Sequence, residues 1–255
     1  MLMTVDIGNT NISFGLFRGA DLGPSWRLST DHNRMPDEYG LQMTGLLNHK
    51  GYTPDQITGV CLASVVPPLT GIFVEASQKY LGQDPLIVDA GVKTGVRILY
   101  ENPRAVGADR IVDAAAVNEL FGGPACVVDF GTGTTFDAIS GEGDYLGGAI
   151  APGIGIAAEA LFSRAAKLPR VDLQRPPSVI GKNTPHAMQS GLLYGYVGLV
   201  EGMIARFRGE LGPEMKVIAT GGLTGIIARE TQAIDFIEPW LTLEGLRIIW
   251  DRNQT

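Results

Sequence analysis

Asp6-Ile7-Gly8-Asn9-Thr10, which follows the apolar run LMTV, has a counterpart about half a chain later in Asp129-Phe130-Gly131-Thr132-Gly133-Thr134-Thr135, which follows ACVV. In each copy an Asp ends an apolar strand, a turn rich in Gly and hydroxyls follows, and a second strand begins, ISFGLF after the first and TFDAIS after the second. That is the pattern of a phosphate-gripping hairpin. Glycine lets the backbone turn tightly and brings peptide N–H groups close to an anionic oxygen, while Asn9, Thr10, Thr132, Thr134 and Thr135 can add side-chain donors. The Asp carboxylates suit a hydrated Mg²⁺. Either motif alone also fits an ordinary hairpin, because Asp or Asn beside Gly favours tight turns. Two copies, each behind a buried-looking strand, point instead to a nucleotide held by two related halves.

A chain of 255 residues can hold one large core or two domains of roughly 110 to 140 residues each, and the repetition favours two. The division is expected after residue 112, with 1–112 carrying the first loop and 113–255 the second loop and a long helix. Apolar residues make up 45% and charged residues 18%, with a mean hydropathy of +0.12, which is the composition of a folded rather than a disordered chain. A net charge of −7 and a pI near 5.0 argue against a general nucleic-acid binder, which needs a basic face. MLMTVDIGNT lacks the basic and apolar regions of a signal peptide, and no apolar run reaches membrane-spanning length, so the cytoplasm is the expected location and no membrane partner is expected. Cys61 and Cys126 sit in strand-like apolar runs, where a reduced thiol acts as a small hydrophobe. His32, His49 and His186 are too scattered for a zinc site.

Residues 2 to 30 read as three strands, LMTVDI, ISFGLF and SWRLST, followed by a helix that opens at Pro36, takes its apolar contacts from Leu41, Leu46 and Leu47, and ends at Gly51. ITGVCLASVV reads as a buried strand, PPLTGIFVEASQKYL as a helix and DPLIVDA as a strand, giving the order βββαβαβ. A comparable order restarts at Ala125 with ACVVDF, TTFDAIS and YLGGAIA, a helix around 154–166 and a longer one from about Pro185, then the strand MKVIAT, a turn at Gly221-Gly222 and the helix LTGIIARET. The expected fold is α/β, with a mixed sheet flanked by helices in each half. Along the long helix Met188, Leu192, Tyr196, Leu199, Met203 and Phe207 form a core stripe, and Gly191, Gly195, Gly198 and Gly202 form a second face. Each of those glycines costs a helix about 0.8 to 1 kcal/mol relative to alanine, so something must offset it. Close packing within the chain is one explanation, and a subunit contact between closely approaching helices is the other.

Between the hairpins lies YENPRAVGADR, residues 100–110, running into the helical segment IVDAAAVNELF. Asp109 falls near a helix N-terminus, where N–H groups and the macrodipole are expected to favour its ionised form. Phosphoryl transfer through a loose transition state needs only orientation and late proton acceptance from such a carboxylate. A helix-capping Asp is the competing account. Arg110 can bind a carboxylate or a phosphate through its fork, or serve in a surface salt bridge.

Taken together and in order, MLMTVDIGNTNISFGLF, SVVPP, YENPRAVGADR, DFGTGTTFDAI, GGAIAPGI, KNTPHAMQSG and ATGGL resemble type III pantothenate kinase over nearly the whole chain. The resemblance implies two duplicated ribonuclease H-like domains of the acetate and sugar kinase, heat-shock 70 and actin superfamily, with an ATP cleft between them. It implies ATP-dependent phosphorylation of pantothenate to 4'-phosphopantothenate, the first step of coenzyme A biosynthesis. Laid onto matching positions, it makes Asp6, Ile7, Gly8, Asn9, Thr10, Asn11, Ile12 and Ser13 the first ATP loop, with Asp6 toward Mg²⁺, and gives Thr132 an ATP contact. Asp129 would hold a monovalent cation, K⁺ or NH₄⁺. Tyr100, Gly107, Ala108, Asp109 and Arg110 would line the pantothenate pocket, with Asp109 as the catalytic acceptor of the hydroxyl proton. Thr184 would also touch pantothenate, in a pocket completed across a homodimer, and the adenosine would lie near Gly221-Gly222. The chain departs from the family pattern at Ala105 and Gly133, neither of which removes a catalytic group, and at Ala157-Ala158, which replace hydroxyl-bearing residues and so bear on the polarity of the pocket there. A phosphohydrolase on the same fold and a non-catalytic regulatory binder are the alternatives. Phosphate release independent of pantothenate would mark the first, and retention of Asp6, Asp109 and Asp129 speaks against the second.

Overall fold

A computed structural model of the chain describes residues 1–254. They form two compact units, Met1–Phe121 together with residues 241–254, and Gly122–Trp240.

The first unit opens with β1 (Leu2–Ile7), β2 (Asn11–Arg18) and β3 (Asp21–Ser29), an antiparallel meander. Helix α1 (Pro36–His49) follows, then β4 (Gly59–Ser64), α2 (Pro67–Leu81), the two-residue β5 (Leu86–Ile87) and α3 (Ala108–Leu120). The sheet order is β3-β2-β1-β4-β5, with β4 and β5 parallel to β1. Because β1 and β4 are covered on both faces, they read as continuous apolar runs rather than alternating ones. Helix α1 buries Tyr39, Met43 and Leu47; of the three leucines expected to supply its apolar contacts, Leu47 is buried, Leu46 half-buried and Leu41 63% exposed. Tyr39 packs tilted against Phe73 of α2 with ring centroids 4.6 Å apart, and burying such a ring is worth about 1.5–3 kcal/mol.

The second unit repeats the plan. Strands β6 (Ala125–Phe130), β7 (Gly133–Ile139) and β8 (Tyr145–Pro152) form the meander, followed by α4 (Ile154–Arg164), α5 (Thr184–Leu211), β9 (Lys216–Thr220), α6 (Thr224–Ile227) and β10 (Phe236–Ile237). The order β10-β9-β6-β7-β8 is the first sheet's topology over again, with β9 parallel to β6 and β10 parallel to β9. Leu193, Tyr196, Val197, Val200 and Ile204 of α5 cover one face of this sheet, with Leu199, Met203 and Phe207 at the margin of that core.

The last helix, α7 (Leu241–Asn253), was not read from the sequence and belongs to the first unit. It packs on α3 and across β1, β2 and β4. A Cβ on Gly245 would lie 2.2 Å from the carbonyl oxygen of Val112, so glycine is what lets α7 lie against the α3 backbone. The expected division after residue 112 therefore differs from the observed units: it would cut through α3, and it assigns α7 to the wrong half.

Candidate functional site

The first loop sits at the C-terminal end of β1. Asp6 faces Ser13 and Ile7 faces Ile12 across the hairpin, and the Gly8 N–H closes the turn by donating to the Asn11 carbonyl at 3.0 Å. Ile7 and Ile12 are fully buried in the core and Ser13 is 7% exposed, so the isoleucines can offer a ligand only their backbone. Asp6 is half-buried, and Asn9, Thr10 and Asn11 are exposed.

The same sheet end brings the acceptor residues close. The Val65 N–H, just past β4, donates to the Ile7 carbonyl at 3.0 Å, and Val65 Cγ1 lies 3.5 Å from where a Cβ on Gly107 would be. Gly107 caps α3 and Asp109 stands in its first turn, so the path from the loop to Asp109 runs through Val65 within one unit. A Cβ on Gly107 would lie 2.4 Å from Asp109 Oδ1, which shows how tightly the carboxylate folds back over the cap. Oδ1 accepts from the Arg110 N–H at 2.8 Å.

Burial holds the Asp109 carboxyl above its ordinary value, against the downward pull of the Arg110 N–H, the Arg110 charge and its own N–H. This corrects the expectation that the helix terminus would favour the ionised form. Loss of water is the largest influence on the carboxyl, and a carboxylate with a raised value is the better proton acceptor. Ala108 and Arg110 are half-buried beside it, and Tyr100 is 42% exposed on the connection leading into α3.

The second loop joins β6 to β7, with Asp129 opposite Thr135 and Phe130 opposite Thr134. Two hydroxyls expected to face phosphate are instead used by the fold. Tyr196 of α5 donates its only hydroxyl proton to the Pro152 carbonyl at 2.5 Å, so the buried Thr134 hydroxyl must be the donor in its 2.6 Å contact with Tyr196. Thr135 donates to Asp137 Oδ2 at 2.7 Å, and Tyr145 donates to Asp137 Oδ1 at 2.8 Å. Thr132 alone among these threonines is exposed.

Gly153, at the start of α4, donates its N–H to the Thr132 carbonyl at 3.1 Å, and a Cβ there would meet that oxygen at 2.2 Å. Gly221 has φ +93° and sits so that a Cβ would lie 2.3 Å from Asp129 Oδ1, so the turn after β9 cradles the Asp129 carboxylate. The sequence reading missed Gly153 and the bond from Tyr196. The only signals were the glycine after Ala151-Pro152 and the one hydroxyl-bearing residue in an otherwise apolar stripe.

Thr184 is the first residue of α5, behind the capping Asn183, and lines a pocket of about 560 Å³ with Leu161, Leu168, Lys182, Met188 and Leu192. It belongs to the second unit, whereas Tyr100 and Asp109 belong to the first. On the neighbouring helical face, a Cβ on Gly191, Gly195 or Gly198 would have no atom within 4 Å, and one on Gly202 would meet only Arg206 of the same helix. Close packing within the chain therefore does not explain these glycines.

For metal ions, the described residues contain no cluster of three or more His, Cys, Asp or Glu able to form a cage by itself. What they offer is single half-buried carboxylates at strand ends, which fits Mg²⁺ carried chiefly by nucleotide phosphates. The thiols of Cys61 and Cys126 are fully buried and pushed up by that burial, as inert core groups.

The family model for type III pantothenate kinase matches residues 2–206. A type III pantothenate kinase from Moorella thermoacetica (strain ATCC 39073 / JCM 9320) is 58% identical over 99% of this chain and 100% of its own. One from Myxococcus xanthus (strain DK1622) is 53% identical over 99% of each chain. Among solved structures, a Campylobacter jejuni protein described as a Baf family transcriptional activator aligns at TM-score 0.62 and 19% identity, over 99% of this chain and 98% of that one. The inorganic polyphosphate/ATP-glucomannokinase of Arthrobacter sp. strain KM aligns at TM-score 0.51 and 15% identity, over 98% of each. At those identities the structural likenesses speak to fold alone.

Proposed function

As a member of the type III pantothenate kinase family, this chain transfers a phosphoryl group from ATP to pantothenate, the opening step of coenzyme A biosynthesis, and we propose how its residues divide that work. The carrying observation is the carboxyl of half-buried Asp109, raised by desolvation and held over its glycine cap beside the first loop. Asp109 orients the primary hydroxyl of pantothenate and accepts its proton late in the transfer. Gly107, Ala108 and Arg110 shape the pocket around that hydroxyl, with the Arg110 fork toward an oxyanion. Tyr100 and Thr184 supply further pantothenate contacts, and two copies of the chain complete the pocket as a homodimer. The open glycine face of α5 supports this, since a second helix can approach closely there.

Asp6, the backbone of residues 7–13 and the Asn9, Thr10 and Asn11 side chains take the ATP phosphates, and Thr132 adds a contact from the second loop. Mg²⁺ bound to the phosphates and to Asp6 would supply charge neutralisation. Asp129, cradled by Gly221, would hold a monovalent cation, K⁺ or NH₄⁺. The cytoplasm, where thiols such as Cys61 and Cys126 stay reduced, is the proposed setting. No helix of the described residues is long and apolar enough to cross a membrane.

The test is mass-spectrometric detection of 4'-phosphopantothenate with ATP, run in K⁺ and in Na⁺ for the wild type and Asp129→Ala. Phosphopantothenate should form, K⁺ should accelerate it, and Asp129→Ala should blunt that response. Steady ATP hydrolysis indifferent to pantothenate would replace this reading with a phosphohydrolase. Equal rates in both salts would remove the cation assignment.

A further inference from the structure

We propose that Thr30 is a positioning residue for ATP, setting the peptide planes of the first phosphate loop from the neighbouring strand. The Thr30 hydroxyl donates to the Gly8 carbonyl at 2.6 Å, and the Thr30 N–H donates to the Thr10 carbonyl at 2.9 Å. One residue, just past the end of β3, thus holds two carbonyls of the turn that contains Asn9 and Thr10.

A trans peptide is planar, with its carbonyl and the following N–H pointing in opposite directions. Holding the Gly8 carbonyl toward Thr30 therefore turns the Asn9 N–H the other way, and holding the Thr10 carbonyl does the same for the Asn11 N–H. Without the hydroxyl, the Gly8-Asn9 peptide could rotate and present its carbonyl, a repulsive group, where a phosphate oxygen needs a donor. A loop of exposed residues gains from being fixed before the ligand arrives, because ordering it afterwards weakens binding.

The clamp has a rigid base. Tyr39, fully buried, donates its hydroxyl to the Asp31 carbonyl at 2.8 Å and accepts the Asp31 N–H at 3.1 Å, fixing the residue next to Thr30 on the helix α1 core. The chain of contacts runs from the packed Tyr39–Phe73 pair through Asp31 and Thr30 to the loop.

The proposal rests on residues 6–13 being the phosphate loop, and the experiment separates the two. Hydrogen exchange of the full chain with and without ATP should slow the amides of residues 8–11 in the wild type. No ATP-dependent protection there would overturn the loop reading and Thr30's role with it. With protection present, Thr30→Val, which keeps the shape and removes the hydroxyl, should raise the KM for ATP roughly fivefold, the scale of one hydrogen bond. The KM for pantothenate should stay within about twofold, and Thr30→Ser should restore the ATP value. Thr30→Ala, measured alongside in case the valine variant folds poorly, must show the same split. An unchanged KM for ATP in a folded Thr30→Val or Thr30→Ala variant overturns the role of Thr30 while leaving the loop reading intact. Equal losses for both substrates that serine does not repair would also overturn it, marking Thr30 as a general support of the fold.

Discussion

Replacing Gly107 by alanine should disable the chemistry while sparing the fold. The added Cβ would fall 2.4 Å from Asp109 Oδ1, whereas ordinary contact begins at about 3.4 Å, so the carboxylate must retreat by about 1 Å. Nothing else lies closer than 3.5 Å to that Cβ, and Oδ1 is the mobile end of a short side chain, so the backbone need not move. The strain is relieved by the group that does the work. A misplacement of about 1 Å at a reacting centre can lower kcat on the order of a hundredfold. The assay is ADP release coupled to pantothenate phosphorylation, with the KM for ATP measured in parallel and expected to hold within about twofold, since the first loop keeps its contacts. Gly71→Ala is the control: it stands in the exposed middle of α2 with no atom near its Cβ, so it should add about 1 kcal/mol of stability through helix propensity and leave kcat alone. A folded Gly107→Ala variant with kcat within about twofold of wild type would show that the position of the Asp109 carboxylate does not limit the reaction.

Asp109→Asn should lower kcat by about two orders of magnitude or more and yet make the protein more stable at neutral pH. Burial raises the folded carboxyl above its ordinary 3.8, so between those values the folded chain holds the extra proton, and stability falls as pH rises through that window. Urea melts at pH 7 and pH 4 should show the asparagine advantage at the first and its loss at the second; a variant less stable than wild type at pH 7 would contradict this. Thr134→Val should lower stability by about 1 kcal/mol through the lost bond to Tyr196, whereas the exposed Thr132→Val should leave melting unchanged within about 0.5 kcal/mol and weaken ATP binding, as calorimetry would report. A Cβ at Gly195 would have no atom within 4 Å, so for Gly195→Leu the fold should persist while light scattering shows the dimer replaced by monomer. A monomeric wild type, or a leucine variant still dimeric, would remove the glycine face from the interface.

Strand and helix order up to α6 was legible because local chemistry carries it, whereas β10 and α7 had no such signal. Apolar runs ending in Asp-x-Gly mark β1 and β6, prolines open α1, α2 and α5, and the duplicated motif reappears as two sheets of identical strand order. The motif residues and the family were likewise readable from the chain, because their spacing is set by hairpins a few residues long.

What the sequence could not decide were contacts between residues distant along the chain. Thr134 looks like a phosphate donor until Tyr196, far along the chain, is seen to accept its hydrogen bond. Asp109 reads as a plain helix-end carboxylate until desolvation in the folded chain is seen to raise it above its ordinary value. Helix α7 looks like part of the second half until Gly245 meets the α3 backbone. Hydrogen-bond capacity and helix propensity belong to residues, but desolvation and the choice of partner depend on which distant atoms arrive alongside them, and only the folded chain fixes that.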